Sequence, residues 1–139
     1  MDQQVRDLYE DAKACIRVSL PSSFLETLAA PVAVATASRN REDYILHPPT
    51  GETLDEPSRA RVKALGGAQD GRHDVQIVVA DGLNAYALTD KGHLSPYLDE
   101  LRRGLVAAGF RPAPEHLVVT SGRVRAGYRI GETLFDGLP

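Results

Sequence analysis

"VQIVVADGLNAYAL", residues 75–88, runs from an apolar, β-branched-rich segment into Ala80, turns polar at Asp81-Gly82 and then resumes an apolar pattern. "DVQIVVA", 74–80, reads as a strand buried on both faces, because such strands are continuous apolar runs and not alternating ones. Gly82 permits a positive φ or a close backbone approach, and Asn84 is placed to cap a following helix. A structural turn needs that glycine and that cap; by residue type it has no need of the Asp81 carboxylate.

Working outward, "VAVATA" (32–37) and "HLVVT" (116–120) have the same character and predict two further strands. Between and around them lie helical patterns. Val5, Leu8, Tyr9, Ala12 and Ile16 make one stripe of an amphipathic helix over 3–18, and Ser22 or Ser23 is placed to cap a short helix ending before Pro31. Residues 38–54 read as an extended loop with Tyr44, Ile45 and Leu46 anchored on the core. Asp55 caps a helix opened by Glu56 and Pro57 and ending near Gly66-Gly67, and Ser95-Pro96 opens another with Leu98, Leu101, Leu105 and Ala108 on one face. Ile130, Leu134 and Phe135 suggest a last short helix. The alternation predicts an α/β fold with a parallel sheet of about three strands flanked by helices, preceded by an N-terminal helical segment. In such sheets ligands sit beyond the carboxyl ends of the strands. Two turns are thereby selected, Asp81-Gly82-Leu83-Asn84 and Ser121-Gly122-Arg123-Val124.

The 139 residues suffice for one ordinary core, with 42% hydrophobic and 25% charged residues. A net charge of −3 argues against a broad nucleic-acid surface, and the apolar runs are too short to cross a bilayer. The opening residues lack an export signal, so the cytoplasm is expected. Cys15 is alone and reads as a small buried hydrophobe. His47, His73, His93 and His116 lack metal-site spacing, and no serine stands in a nucleophile elbow. "SGRVRAGYRIGET" (121–133) has Tyr128-Arg129 where a phosphate-binding loop needs Lys followed by Ser or Thr, which leaves a flexible segment bearing Arg123, Arg125 and Arg129 that either holds an anion or is solvated surface. The residue chemistry favours binding over catalysis.

At "DVQIVVADGLNAYAL", "GHLSPYLDELRRGLVAAGF" and "LVVTSGRVRAGYRIGETLF" the chain resembles the small subunit of ethanolamine ammonia-lyase, and "YILHPPTGETLDEPSRARV" (44–62) is similar to the segment ahead of that family's sheet. The resemblance spans about residues 42–136. Behind the helical segment read from periodicity over 1–30, the resemblance implies a partial Rossmann-like domain over 31–139 that covers adenosylcobalamin, shared with a large barrel subunit that holds ethanolamine and the catalytic residues for its conversion to acetaldehyde and ammonia. Asp81, Gly82, Leu83 and Asn84 would form one cobalamin-facing loop, and Gly122, Arg123 and Val124 the other. No catalytic residue or metal ligand is implied in this chain, and the isolated chain is expected to be inactive. The location implied is the cytoplasm, including a bacterial microcompartment within it. The family's glycine-arginine-alanine-glycine and glycine-glutamate-arginine-proline-glycine motifs do not occur in these residues, which implies a site with fewer walls. The alternative is an interaction module of the same fold that has lost cobalamin and dimerises through the incomplete sheet edge and the first helix.

Overall fold

The structure, a computed structural model, describes residues 2–136. Three parallel strands, β1 (Pro31–Ala35), β2 (Val75–Ala80) and β3 (Pro112–Thr120), form one sheet in the order β1-β3-β2. The last strand in sequence is therefore the central one. Leu117, Val118 and Val119 are almost fully enclosed because both edges of β3 are paired and both of its faces are covered.

Side chains alternate across the sheet with a period of two, which divides the core. On one face Val34, Leu117 and Val119 meet α3 (Glu56–Gln69) and α6 (Val124–Leu134) through Val62, Ala126, Ile130 and Leu134. On the other, Ile77, Val79 and Val118 meet α5 (Leu94–Ala107) at Leu98 and the 3₁₀ turn Ser22–Thr27 at Phe24. Fully burying an aliphatic side chain is worth roughly 1.5–3 kcal/mol, so these two clusters carry the fold.

The outer edge of β1 is closed by side chains and loops. Ser58 Oγ accepts from Ala35 N at 2.9 Å, Asp55 N donates to Ala35 O at 3.1 Å, Arg61 donates to Ala33 O, and Thr36 bridges Leu54 in the antiparallel sense. β2 carries no further strand on its outer edge among the described residues.

Several elements differ from the sequence reading. Residues 41–46 are helical, α2 (Arg41–Leu46), followed by a 3₁₀ turn at Pro48–Gly51, where an extended loop was expected. Asn40 Oδ1 accepts from Asp43 N at 2.8 Å and caps α2, a local signal hidden in a uniformly polar stretch. Tyr44 is fully buried as expected, whereas Leu46 is exposed. α3 passes through Gly66-Gly67 and ends at Gln69, where Asp70 takes the left-handed conformation. α5 starts at Leu94, before Ser95-Pro96; Pro96 is tolerated in the first turn because its missing N–H has no intrahelical partner there. Ala108 lies beyond the last residue of α5 and is exposed. β1 stops at Ala35, and β3 starts four residues earlier than expected. The segment after Arg123 is the ordered helix α6, not a flexible loop.

The first helix, α1 (Gln3–Arg17), has the expected stripe but buries none of its residues, and Val5, Leu8 and Tyr9 are exposed. Cys15 is half-buried there. No helix among the described residues is long and apolar enough to cross a membrane.

Candidate functional site at the strand ends

All three strands end on the same side of the molecule, because parallel strands share one direction. Each contributes a group to a single hydrogen-bonded layer. Thr36, just past β1, donates from Oγ1 to Ser121 O at 2.9 Å. Ser121 N and Gly122 N, just past β3, donate to Asp81 Oδ2 and Oδ1 at 2.9 and 3.0 Å. Asp81, just past β2, also receives Arg41 Nη1 of α2 at 3.2 Å.

This layer is dry. The Asp81 side chain is 0% exposed and the Arg41 side chain 9%. A buried carboxylate is tolerated when its oxygens accept several hydrogen bonds and face a countercharge, and Asp81 has both. Here the sequence reading is corrected: the turn does use the carboxylate structurally, as the clasp between β2 and β3. Ser121 holds φ +55°, a left-handed conformation unusual outside glycine, and its flanking amides are the ones aimed at or next to Asp81.

Tyr44 forms the floor beside this clasp. The guanidinium of Arg41 lies 4.4 Å from the ring centroid and that of Arg123 lies 4.8 Å from it. Burial pushes the Tyr44 phenol up, against the opposing pull of the two cations. Arg123 Nη2 donates to Tyr44 O at 3.1 Å, while Arg123 Nε is buried without a partner. Gly51 and Gly122 leave room for this packing: a Cβ on Gly51 would come within 2.6 Å of Tyr44 Cδ2, and one on Gly122 within 2.6 Å of Val119 Cγ1.

The remaining candidates face outward. Gly82 has φ +51° with nothing near a would-be Cβ, Leu83 is 49% exposed, Asn84 is exposed, and Val124 is 84% exposed at the start of α6. Asn84 Oδ1 accepts from Tyr86 N at 3.1 Å in a turn just ahead of α4 (Tyr86–Thr89), but the expected cap is not made: Ala85 holds the capping position, without a side-chain bond. The two turns selected from sequence are thus joined, with Asp81 and Gly122 inside and Leu83, Asn84 and Val124 on the rim. The three arginines do not converge: Arg123 packs on Tyr44, Arg125 reaches Glu52 at 3.4 Å, and Arg129 pairs with Glu132 at 2.9 Å. Arg41 and Thr36 were not legible as site residues, since each acts through a partner at least 40 positions away; Ser121 lay in a selected turn, but its bond to Asp81, 40 positions away, left no trace in the sequence.

A second charged cluster is built around Asp43 of α2. Asp43 accepts from Arg39 N, Nε and Nη2 at 3.0, 3.2 and 3.2 Å, and sits 2.9 Å from His47 Nδ1. The Arg39 hydrogen bonds hold its carboxyl well below the usual carboxylate range. Two clefts lie on the flanks, one of about 760 Å³ lined by Glu56, Lys63, Gly66 and Glu132, the other of about 350 Å³ lined by Phe24, Leu28, Leu88 and Leu94.

Fold and site together define a small parallel α/β domain whose stitched strand-end turns present a mixed apolar and backbone-polar rim. The family model for "Ethanolamine ammonia-lyase light chain (EutC)" matches residues 3–137. The chain belongs to that family, and the match extends over α1 as well as the region where motifs were legible. Among curated relatives, the ethanolamine ammonia-lyase small subunit of Pseudomonas paraeruginosa is 37% identical over 99 residues, 71% of this chain and 35% of the relative. That of Ralstonia nicotianae is 35% identical over 105 residues, 76% of this chain and 38% of the relative. That of Azotobacter vinelandii is 38% identical over 99 residues, 71% and 36% respectively. The chain thus matches only a little over a third of the length of these relatives.

Proposed function

We propose that this chain serves as the small-subunit side of an adenosylcobalamin-dependent ethanolamine ammonia-lyase, covering the corrinoid while a large barrel subunit holds ethanolamine and the catalytic residues. Family membership supports the assignment to the enzyme. The observation that carries the site is the strand-end layer, in which Asp81 clamps the turn after β3 and leaves Leu83, Asn84 and Val124 outward.

The residues present fit the group. A corrinoid is a broad, largely apolar disc edged with amides, and it needs apolar contact and neutral hydrogen-bonding groups more than charge. Leu83 and Val124 supply the first, and the backbone around Gly82 with the Asn84 amide supplies the second. Gly122 and Arg123 hold the second turn in place, Gly122 through Asp81 and Arg123 through Tyr44. When bound, adenosylcobalamin supplies a weak cobalt–carbon bond and with it radical chemistry. The part of this chain is to position the corrinoid and exclude water from one side of it. Asp81 contributes from inside the turn, since both of its oxygens are engaged.

The test is to mix the chain with the family's large subunit and cobalamin. Co-elution with a shift in corrinoid absorption is expected; the absence of both overturns the proposal. Among the described residues the outer edge of β2 pairs with no strand, which favours a second reading, an interaction module that dimerises through it. Sedimentation of a strict monomer that binds corrinoid eliminates that reading.

A further inference from the structure

Arg41 stands outside both turns in sequence, in the polar stretch "SRNRED", yet three of its donors are spent on what surrounds them. Nη1 meets Asp81 Oδ2 at 3.2 Å, Nη2 meets Gly82 O at 2.8 Å, and Nε meets Ile16 O of α1 at 2.7 Å. Its plane rests on the Tyr44 ring, which fixes the direction of the fork. We propose that Arg41 is the positioning residue of this surface: by pulling the Gly82 carbonyl inward it turns the Leu83 N–H outward, as a preset donor for a carbonyl or other neutral acceptor on the ligand.

The reasoning rests on peptide geometry. In a planar trans peptide the C=O and the following N–H point in opposite directions, so fixing one fixes the other. The turn around that peptide is closed by Asn84 N donating to Asp81 O at 3.2 Å, and among the described residues Arg41 is the one group that bonds the Gly82 carbonyl itself. The φ of Gly82 is +51° and no atom would lie within 4 Å of a Cβ, so the turn has no packing wall at that point. Leu83 N–H takes no partner among the described residues, and Leu83 is half exposed. An unpaired amide on a rim held from behind by a buried guanidinium is a donor already oriented for a ligand, which spares the cost of ordering it on binding. The same guanidinium caps a carbonyl of the last turn of α1, so the helix and the rim share one anchor.

A lysine cannot reproduce this. Its ammonium is a single point on a flexible stem and lacks the planar fork needed to meet a carboxylate and two carbonyls in fixed directions. Arg41→Lys and Arg41→Met therefore separate charge from geometry. In the free chain, amide NMR resonances of Gly82, Leu83 and Asn84 are expected to move in Arg41→Lys while those of Leu117, Val118 and Val119 stay in place. This arm needs no ligand, so it stands apart from the proposed function. In the complex with the large subunit, both variants are expected to weaken cobalamin retention by about tenfold, the loss of one well-placed hydrogen bond. Failure of the wild-type chain to retain cobalamin overturns the functional reading on which the ligand part rests. Wild-type retention with undiminished retention in both variants overturns the role of Arg41. Unmoved Gly82–Asn84 resonances in Arg41→Lys, or changes spread equally over β3, overturn it too, and Arg41→Lys decides the matter where Arg41→Met does not fold.

Discussion

Asp81 shows how a residue that looks like a ligand-facing carboxylate is consumed by the fold. It accepts two backbone amides from the turn after β3 and a guanidinium from α2, all away from water. Removing one member of a buried pair strands the other, a loss of about 3–5 kcal/mol. Asp81→Ala is accordingly expected to lower unfolding free energy by that amount in urea titration; a loss below about 1 kcal/mol would contradict the clasp. Asp43 makes a contrasting case, bound to Arg39 at the start of a short helix. Its folded-state pKa is depressed below the ordinary unfolded value of about 3.9, so its contribution is complete above that value and is lost as pH falls through the folded one. Asp43→Asn is expected to melt lower than the wild-type chain at neutral pH. The gap should narrow as pH drops below about 4, which thermal melts across that range would check.

Among the elements, α3 and α6 illustrate what two adjacent glycines conceal. A Cβ on Gly66 would meet Leu134 O at 2.7 Å and Leu134 Cα at 3.2 Å, whereas one on Gly67 would meet nothing within 4 Å. Backbone cannot yield as a side-chain tip can, so Gly66→Ala should cost about 1–3 kcal/mol. Gly67→Ala, in the same helix and in open space, should stabilise by about 0.5–1 kcal/mol, since glycine is the poorer helix former. Denaturation midpoints of opposite sign for the two variants are the expected result. From the sequence, both glycines read as a helix end, because a close approach to another helix leaves no local trace. By contrast, the Asp55 cap was legible and is made, with its side chain accepting from Ser58 N at 2.8 Å. Capping is a contact over three residues, and the pattern contains both partners. The Asn40 cap of α2 obeys the same rule but has no apolar periodicity behind it to announce a helix.

For the molecule as a whole, three parallel strands with helices on both faces were legible because doubly buried strands are unbroken β-branched runs, and these are short-range facts. The two strand-end turns were legible too, from Gly82 and from the family motifs. What the amino-acid sequence determined by itself is therefore the set of elements, the turn positions and the kinship. Only the tertiary structure decided that the last strand lies in the middle, that α1 stands with its apolar stripe uncovered, and that Asp81 faces inward to join Arg41, Ser121 and Gly122. The physical reason is range. Period, capping and turn chemistry act over a few residues and leave a pattern, whereas a hydrogen bond between groups forty positions apart depends on which strands become neighbours, and that is set by burying the whole core at once.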